Sequence, residues 1–202
     1  MNITTVAVGM LGTNCHIIEH EGTCLVVDPG DDAKRIMQAV GTHPLAGILL
    51  THGHVDHIGA VDDLRLATGA KVYIHADDAA MLPDSELNLS LFLGTAVEIQ
   101  PADVILQGGQ KLNLAGLEIT VIHTPGHTPG GIAFDIDGTT LMAGDTLFHE
   151  SVGRTDFPGG SMTALANSIR TLYVLGDRVV YCGHGPSTTL AHEKRHNPFV
   201  TQ

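Results

Sequence analysis

The stretch GILLTHGHVDHIGA, Gly47 to Ala60, constrains this chain more than any other. An apolar, strand-like run opens directly into His52, His54, Asp56 and His57. In an extended chain His52 and His54, two residues apart, project to the same side. Gly53 and a helix expected from Ile58 allow the turn that brings Asp56 and His57 toward the same point. A tetrahedral zinc takes about four N or O donors at ~2.0–2.2 Å. The segment offers that many, but packed so tightly that one closed site is hard to build. Two adjacent ions dividing these donors is the easier geometry. The further donors that two ions need follow other apolar runs: His127, Asp145 and His184. Asp145, in MAGDT, is the natural carboxylate to bridge a pair of ions. Alone, a strand-end Asp or His is ordinarily a turn or structural residue; the HGHVDH cluster gives the others their weight.

Composition narrows the function classes. The formal charge is −12, with only 10 Lys and Arg, which opposes binding to nucleic acid or anionic lipid. Bound divalent ions would offset part of that charge. No run approaches the ~18 apolar residues of a membrane span, and the start, MNITTVAVGMLG, lacks the basic region of a secretory signal and reads as a first strand. The expected compartment is the cytosol. Cys15, Cys24 and Cys182 are too dispersed for a disulfide framework or a thiolate zinc knuckle, and Cys182 reads as a buried strand cysteine rather than a ligand. Histidine is the outlier, with 13 residues against no Trp.

Periodicity predicts strands at Ile3–Val8, His16–Glu19, Thr23–Val27, Leu45–Leu50, Lys71–Ile74, Leu117–Ile122, Gly131–Phe134, Thr140–Met142 and Arg178–Tyr181. Helices are expected over Asp32–Val40, Ile58–Thr68, Asp77–Met81, Ser161–Leu175 and Ala191–His196, with Ser161 as N-cap and Gly176 as stop. Pro83–Val97 shows no consistent period. No linker divides the chain, so residues 1–202 read as one domain of sheets packed face to face with helices outside. Asp28-Pro-Gly, Thr51-His-Gly-His, His123-Thr-Pro-Gly-His, Gly144-Asp145 and Gly183-His184-Gly each follow a predicted strand. Strand ends on one rim can converge on a single site. His123 is assigned to its strand end, and His16, His20, His43, His75, His149, His192 and His196 to structural or surface roles.

THGHVDH, HTPGHTPG, AGDTLF and GHGP, in that order across nearly the whole chain, resemble the motif set of the metallo-β-lactamase superfamily. The resemblance implies an α/β fold, an αββα sandwich of two mixed sheets with outer helices. It also implies two divalent ions, zinc first, with iron or manganese as alternatives. His52, His54 and His127 would hold one ion and Asp56, His57 and His184 the other, with Asp145 bridging. Asp56 and Asp145 are also the residues expected to act in catalysis. Asp28, in VVDPG, would orient a ligand histidine.

ESVGRTDFPGG and HEKRHNPF are similar to short, single-domain glyoxalase II-like hydrolases. That similarity implies hydrolysis of S-lactoylglutathione, or a related acylglutathione, to D-lactate and glutathione. A small-molecule thioester is then the expected partner. Arg154, Thr155 and Asp156 would form a structural or substrate-facing loop beside the ions. Two-domain glyoxalase II holds glutathione with a helical C-terminal domain, whereas this chain stops at Gln202, leaving Lys194 and Arg195 as the replacement contacts or as a solvated tail. A mononuclear-iron persulfide dioxygenase, using His52, His127 and Asp145, is the rival enzyme. A non-catalytic metal-binding module is the rival from another class.

Overall fold

The computed structural model describes residues 1–200. The chain begins as an antiparallel meander, β1 (Asn2–Val8), β2 (Thr13–His20) and β3 (Thr23–Val27). Helix α1 (Ala33–Val40) then crosses to β4 (Leu45–Leu49), which pairs parallel to β3. Helices α2 (Val55–Ile58) and α3 (Val61–Thr68) lead to β5 (Val72–His75). β5 and β6 (Val104–Leu106) complete the parallel half of a six-stranded mixed sheet in the order β1-β2-β3-β4-β5-β6. The second half builds β7 (Lys111–Leu114), β8 (Leu117–His123), β9 (Ile132–Ile136) and β10 (Thr140–Gly144). A small hairpin follows, β11 (Leu147–Phe148) with β12 (Ser151–Val152), then α4 (Met162–Tyr173), β13 (Val179–Cys182), β14 (Thr188–Thr189) and α5 (Leu190–His196). The second sheet runs β14-β13-β10-β9-β8-β7 and is also mixed.

Strand alternation divides the apolar residues among three layers. On β3, Leu25 faces the other sheet and packs in a core with Leu49, Val121 and Phe134. Its neighbour Val26 faces the opposite way, onto Ile36 of α1 and Leu64 of α3, as the period of two requires. On β10, Leu141 and Ala143 turn outward to Leu165 and Ile169 of α4. Three apolar layers bounded by outer helices make the αββα sandwich.

Two helix boundaries differ from expectation. The helix expected from Ile58 begins at Val55 and breaks before resuming at Val61. Asp56 and His57 therefore sit on a helical turn of their own, which aims both side chains inward. Ser161 does cap α4, accepting from Ala164 N–H at 3.2 Å, but the helix ends at Tyr173, ahead of Gly176. Pro83–Val97 carries one 3₁₀ turn, Leu91–Leu93, and no strand. Its Asn88 side chain spans the segment, accepting from Ser90 N–H and donating to Val97 C=O.

Candidate metal centre

The strands that carry the polar motifs release them at one rim. β3 and β4 run parallel in the first sheet, β10 and β13 in the second. Asp28 leaves the carboxyl end of β3, Thr51–His57 that of β4, His127 follows β8, Asp145 follows β10 and His184 follows β13. Side chains beyond the carboxyl ends of parallel strands are the ones free to converge on a ligand.

All seven donors converge. Ligand atoms of His52, His54 and His127 lie within 4.8 Å of one another, as do those of Asp56, His57 and His184, and those of His52, His57 and Asp145. Asp145 reaches both sides, Oδ1 at 3.4 Å from His57 Nε2 and Oδ2 at 3.6 Å from His127 Nε2 and 3.5 Å from His184 Nε2. Asp56 Oδ2 stands 3.2 Å from His184 Nε2 and 3.5 Å from His57 Nε2.

Hydrogen bonds behind the rings assign the tautomers. His57 Nδ1–H donates to the buried Asp28 carboxylate at 3.0 Å, turning Nε2 inward. Thr51 Oγ1 donates to Asp28 and therefore accepts from His52 Nδ1–H at 3.1 Å, so His52 Nε2 is bare. His127 Nδ1–H donates to the Arg154 carbonyl at 2.7 Å, and its Nε2 faces His54 Nδ1 at 2.9 Å. His52 Nε2, His57 Nε2 and Asp145 Oδ1 are buried without a hydrogen-bond partner. An unsatisfied buried polar atom costs ~1–3 kcal/mol. Three of them beside one another, all on side chains of types that bind transition metals, fit a cationic guest, which at His57 would replace a proton.

The electrostatics divide the donors. Burial, with the neighbouring histidines, holds His52 well below the usual imidazole range and His54 down at about 3, so both are neutral donors. Burial also opposes charge on His57, but Asp56, Asp145 and Asp28 outweigh it and raise its pKa to about 10, so His57 Nε2 carries a proton unless a metal cation takes that proton's place among the carboxylates. For Asp56, His57 and hydrogen bonds from His184 and Thr13 overcome burial and hold the carboxyl below its usual range.

Close backbone approach is part of the construction. A Cβ on Gly183 would fall on Asp145 Oδ1 and against the His57 ring, and one on Gly30 would collide with the Asp56 carbonyl.

Several supporting residues carry no sequence signal. Asp78 is fully buried and accepts from Gly53 N–H (3.2 Å), Thr128 Oγ1 (2.7 Å) and Gly130 N–H (2.6 Å), clamping the two histidine loops together. Thr13 donates to Asp56 at 2.9 Å, and the Asn14 side chain donates to the carbonyls of Cys182 and Gly185 around His184. His16, read from sequence as structural, donates to the Cys182 carbonyl at 3.1 Å. Cys182 itself is a buried strand residue. His123 ends β8, stacks on His75 at 4.3 Å and donates to the Pro129 carbonyl, outside the seven-donor group. His149 and His192 stack at the surface beside Glu150.

In the Arg154–Asp156 loop the two charged residues bind each other. Arg154 forms a two-pronged pair with Asp156 at 2.7 and 2.6 Å and lies 3.9 Å over the Phe157 ring. Its side chain borders the site cavity, whereas Thr155 and Asp156 do not. Lys194 and Arg195, read from sequence as replacement contacts or as a solvated tail, border a different surface hollow with Asp177. Above the donors opens a cavity of about 430 Å³.

The chain is similar to known proteins. Probable metallo-hydrolase YqgX of Bacillus subtilis is 38% identical over 96% of this chain and 94% of its own length. Hydroxyacylglutathione hydrolase GloC of Haemophilus influenzae is 36% identical over 99% of this chain and 98% of its own. Among solved structures, BLEG-1 B3 metallo-beta-lactamase superposes with a TM-score of 0.96 at 36% identity, covering 100% of both chains. TTHA1623 in a di-iron-bound form does so with 0.87 at 36% identity, over 98% of this chain and 100% of that one. The metallo-beta-lactamase superfamily model matches residues 8–184, and this chain belongs to that superfamily.

Proposed function

We propose that the chain is a metal-dependent thioester hydrolase, with acylglutathiones such as S-lactoylglutathione as its reference substrates. The observation that carries this is the inward-facing, unpartnered set of His52 Nε2, His57 Nε2 and Asp145 Oδ1 within a cluster of seven candidate donors. The similarity to GloC supports thioesters among the substrates open to the superfamily. The reading takes residues 1–202 as a single metallo-β-lactamase-like domain acting in the cytosol. Among the described residues no helix is long and apolar enough to cross a membrane.

In this reading His52, His54 and His127 hold one divalent ion and Asp56, His57 and His184 a second, with Asp145 shared. Zinc is the first choice, and the di-iron neighbour makes iron the alternative. Such ions supply a nucleophilic hydroxide at neutral pH and polarise a carbonyl. The chain's own part is positional. Asp28 and the Arg154 carbonyl fix the rings of His57 and His127, so that Nε2 of each faces inward. Asp56, ionised and held by Thr13, faces the reacting centre as a hydrogen-bond acceptor for water. A thiolate leaves without a general acid, which suits a site whose remaining walls are largely apolar.

Iron as an alternative keeps a mononuclear persulfide dioxygenase as the second reading, and His184 separates the two. It stands 3.2 Å from Asp56 and 3.5 Å from Asp145, within the second ion's donor set and outside the His52–His127–Asp145 triad. The test is metal analysis with S-lactoylglutathione hydrolysis and persulfide-dependent oxygen uptake, side by side, in wild type and His184→Ala. About two metals per chain and hydrolysis that falls by orders of magnitude in the variant are expected, because each metal contributes several kcal/mol. One tightly held iron, with oxygen uptake that survives the substitution and negligible hydrolysis, would overturn the proposal.

A further inference from the structure

The segment without a sequence period, Pro83–Val97, forms one wall of the cavity above the donors. Leu89, Phe92 and Leu93 line it there, faced by Leu11 from the β1–β2 turn and by Phe148 and Phe157. The wall is held in place. Val55 N–H donates to the Asn88 carbonyl at 2.9 Å, and Val97 N–H to Ser90 Oγ at 2.9 Å. Leu89 adopts φ 68°, a left-handed conformation unusual for a bulky side chain. Strain of this kind persists where surrounding structure enforces it, and it gathers at ligand sites. Phe92 is 78% exposed, Leu11 55% and Leu93 48%, a rim of apolar side chains facing water. Contiguous exposed apolar surface marks a place that a ligand covers.

The charges point the same way. Among the described residues Arg154 is the one Lys or Arg bordering the cavity. Its guanidinium already engages both Asp156 oxygens and the Phe157 ring. Beyond the ions, a ligand carboxylate lying along the apolar rim would leave water without gaining a free side-chain cation. Glutathione carries two.

Building on the thioester-hydrolase reading, we propose that this cavity selects its substrate by an uncharged aliphatic or aromatic acyl group packed against the 83–97 wall, and that the glutathione portion is not specifically recognised. The reaction is R–CO–S–R′ + H₂O → R–COO⁻ + R′–SH + H⁺. A C–O bond forms, the C–S bond breaks and the sulfur leaves with its electron pair.

The experiment uses the metal-loaded full chain with S-acetyl-, S-butyryl- and S-hexanoyl-N-acetylcysteamine, and with the same acyl groups on glutathione. kcat/KM should rise about fourfold per methylene, the equivalent of burying one at ~0.8 kcal/mol. Replacing N-acetylcysteamine by glutathione should leave the value nearly unchanged. Phe92→Ala, at a position exposed enough to spare the fold, should flatten the chain-length series. Affinities of the matching S-alkyl thioethers, which cannot be hydrolysed, should carry the same slope. Turnover with a flat series, or preference for a glutathione ester over its N-acetylcysteamine counterpart by about tenfold, a contact of ~1.4 kcal/mol, overturns this inference and leaves the hydrolase reading standing. Thioether affinities that keep the slope, with no thioester hydrolysed, support the pocket and overturn the hydrolase reading instead.

Discussion

Asp78 joins the two histidine loops, and Asp78→Asn isolates its contribution with almost no change in shape. Its Oδ1 accepts from Gly130 N–H, and its Oδ2 from both Gly53 N–H and Thr128 Oγ1. An asparagine keeps one oxygen. Turned to serve Gly53 and Thr128, it sets its NH₂ against the Gly130 N–H, donor facing donor. One unsatisfied buried N–H costs ~1–3 kcal/mol, and each surviving bond loses about 1 kcal/mol with its charge assistance. Some of that returns, because burial pushes the Asp78 carboxyl up in pKa and a neutral amide escapes that penalty. The net loss is then about 2–4 kcal/mol, which at ~2–4 °C per kcal/mol for a domain of this size lowers Tm by roughly 5–15 °C. Gly53 lies between His52 and His54, and Thr128 follows His127, so the same change loosens three donors. Weakening of such orienting contacts typically reduces metal affinity ~10–100-fold. The assay is thermal unfolding of metal-loaded and chelated protein, with metal titration. Asp77→Asn, one residue away and mostly exposed, is the control and should stay within ~0.5 kcal/mol of wild type. An Asp78→Asn protein that matches the control in Tm and metal affinity would refute the clamp.

Asp145→Asn should lose at least one metal while keeping its far-UV circular dichroism, since it replaces a shared carboxylate oxygen with a poorly ligating amide; retention of both ions and full turnover would sink the bridging assignment. Gly183→Ala should destabilise the fold by ~1–3 kcal/mol and impair metal uptake, because its Cβ lands on Asp145 and His57; elemental analysis and Tm would show it. Burial lowers the His16 pKa, so below pH ~6.5 the unfolded chain binds a proton there that the folded chain refuses. Stability then falls by up to ~1.4 kcal/mol per pH unit until the folded pKa is reached. Urea unfolding at two acidic pH values should show a shallower loss for His16→Gln, and equal slopes would contradict this.

What could be read from the chain, and what could not, follows from how each part is specified. The seven donors were legible because metal chemistry restricts residue type, and HGHVDH concentrates those types where chance does not. The sandwich was legible through runs such as TCLVV, whose burial on both faces needs layers above and below. Asp78 was not. In HADDAAM it resembles its exposed neighbour Asp77, and only the placement of β5 beside β4 carries it under Gly53. Thr13, Asn14 and His16 act across long chain separations through the same kind of pairing, with no local pattern to betray them. The 83–97 wall is a different case. Its shape comes from side chain–backbone bonds of Asn88 and Ser90, which leave no period, and its apolar residues face a cavity and water instead of the core. The groups that make a bond break are fixed in type and therefore visible in sequence. The groups that choose the substrate need only be apolar and correctly placed, and placement is a property of the fold.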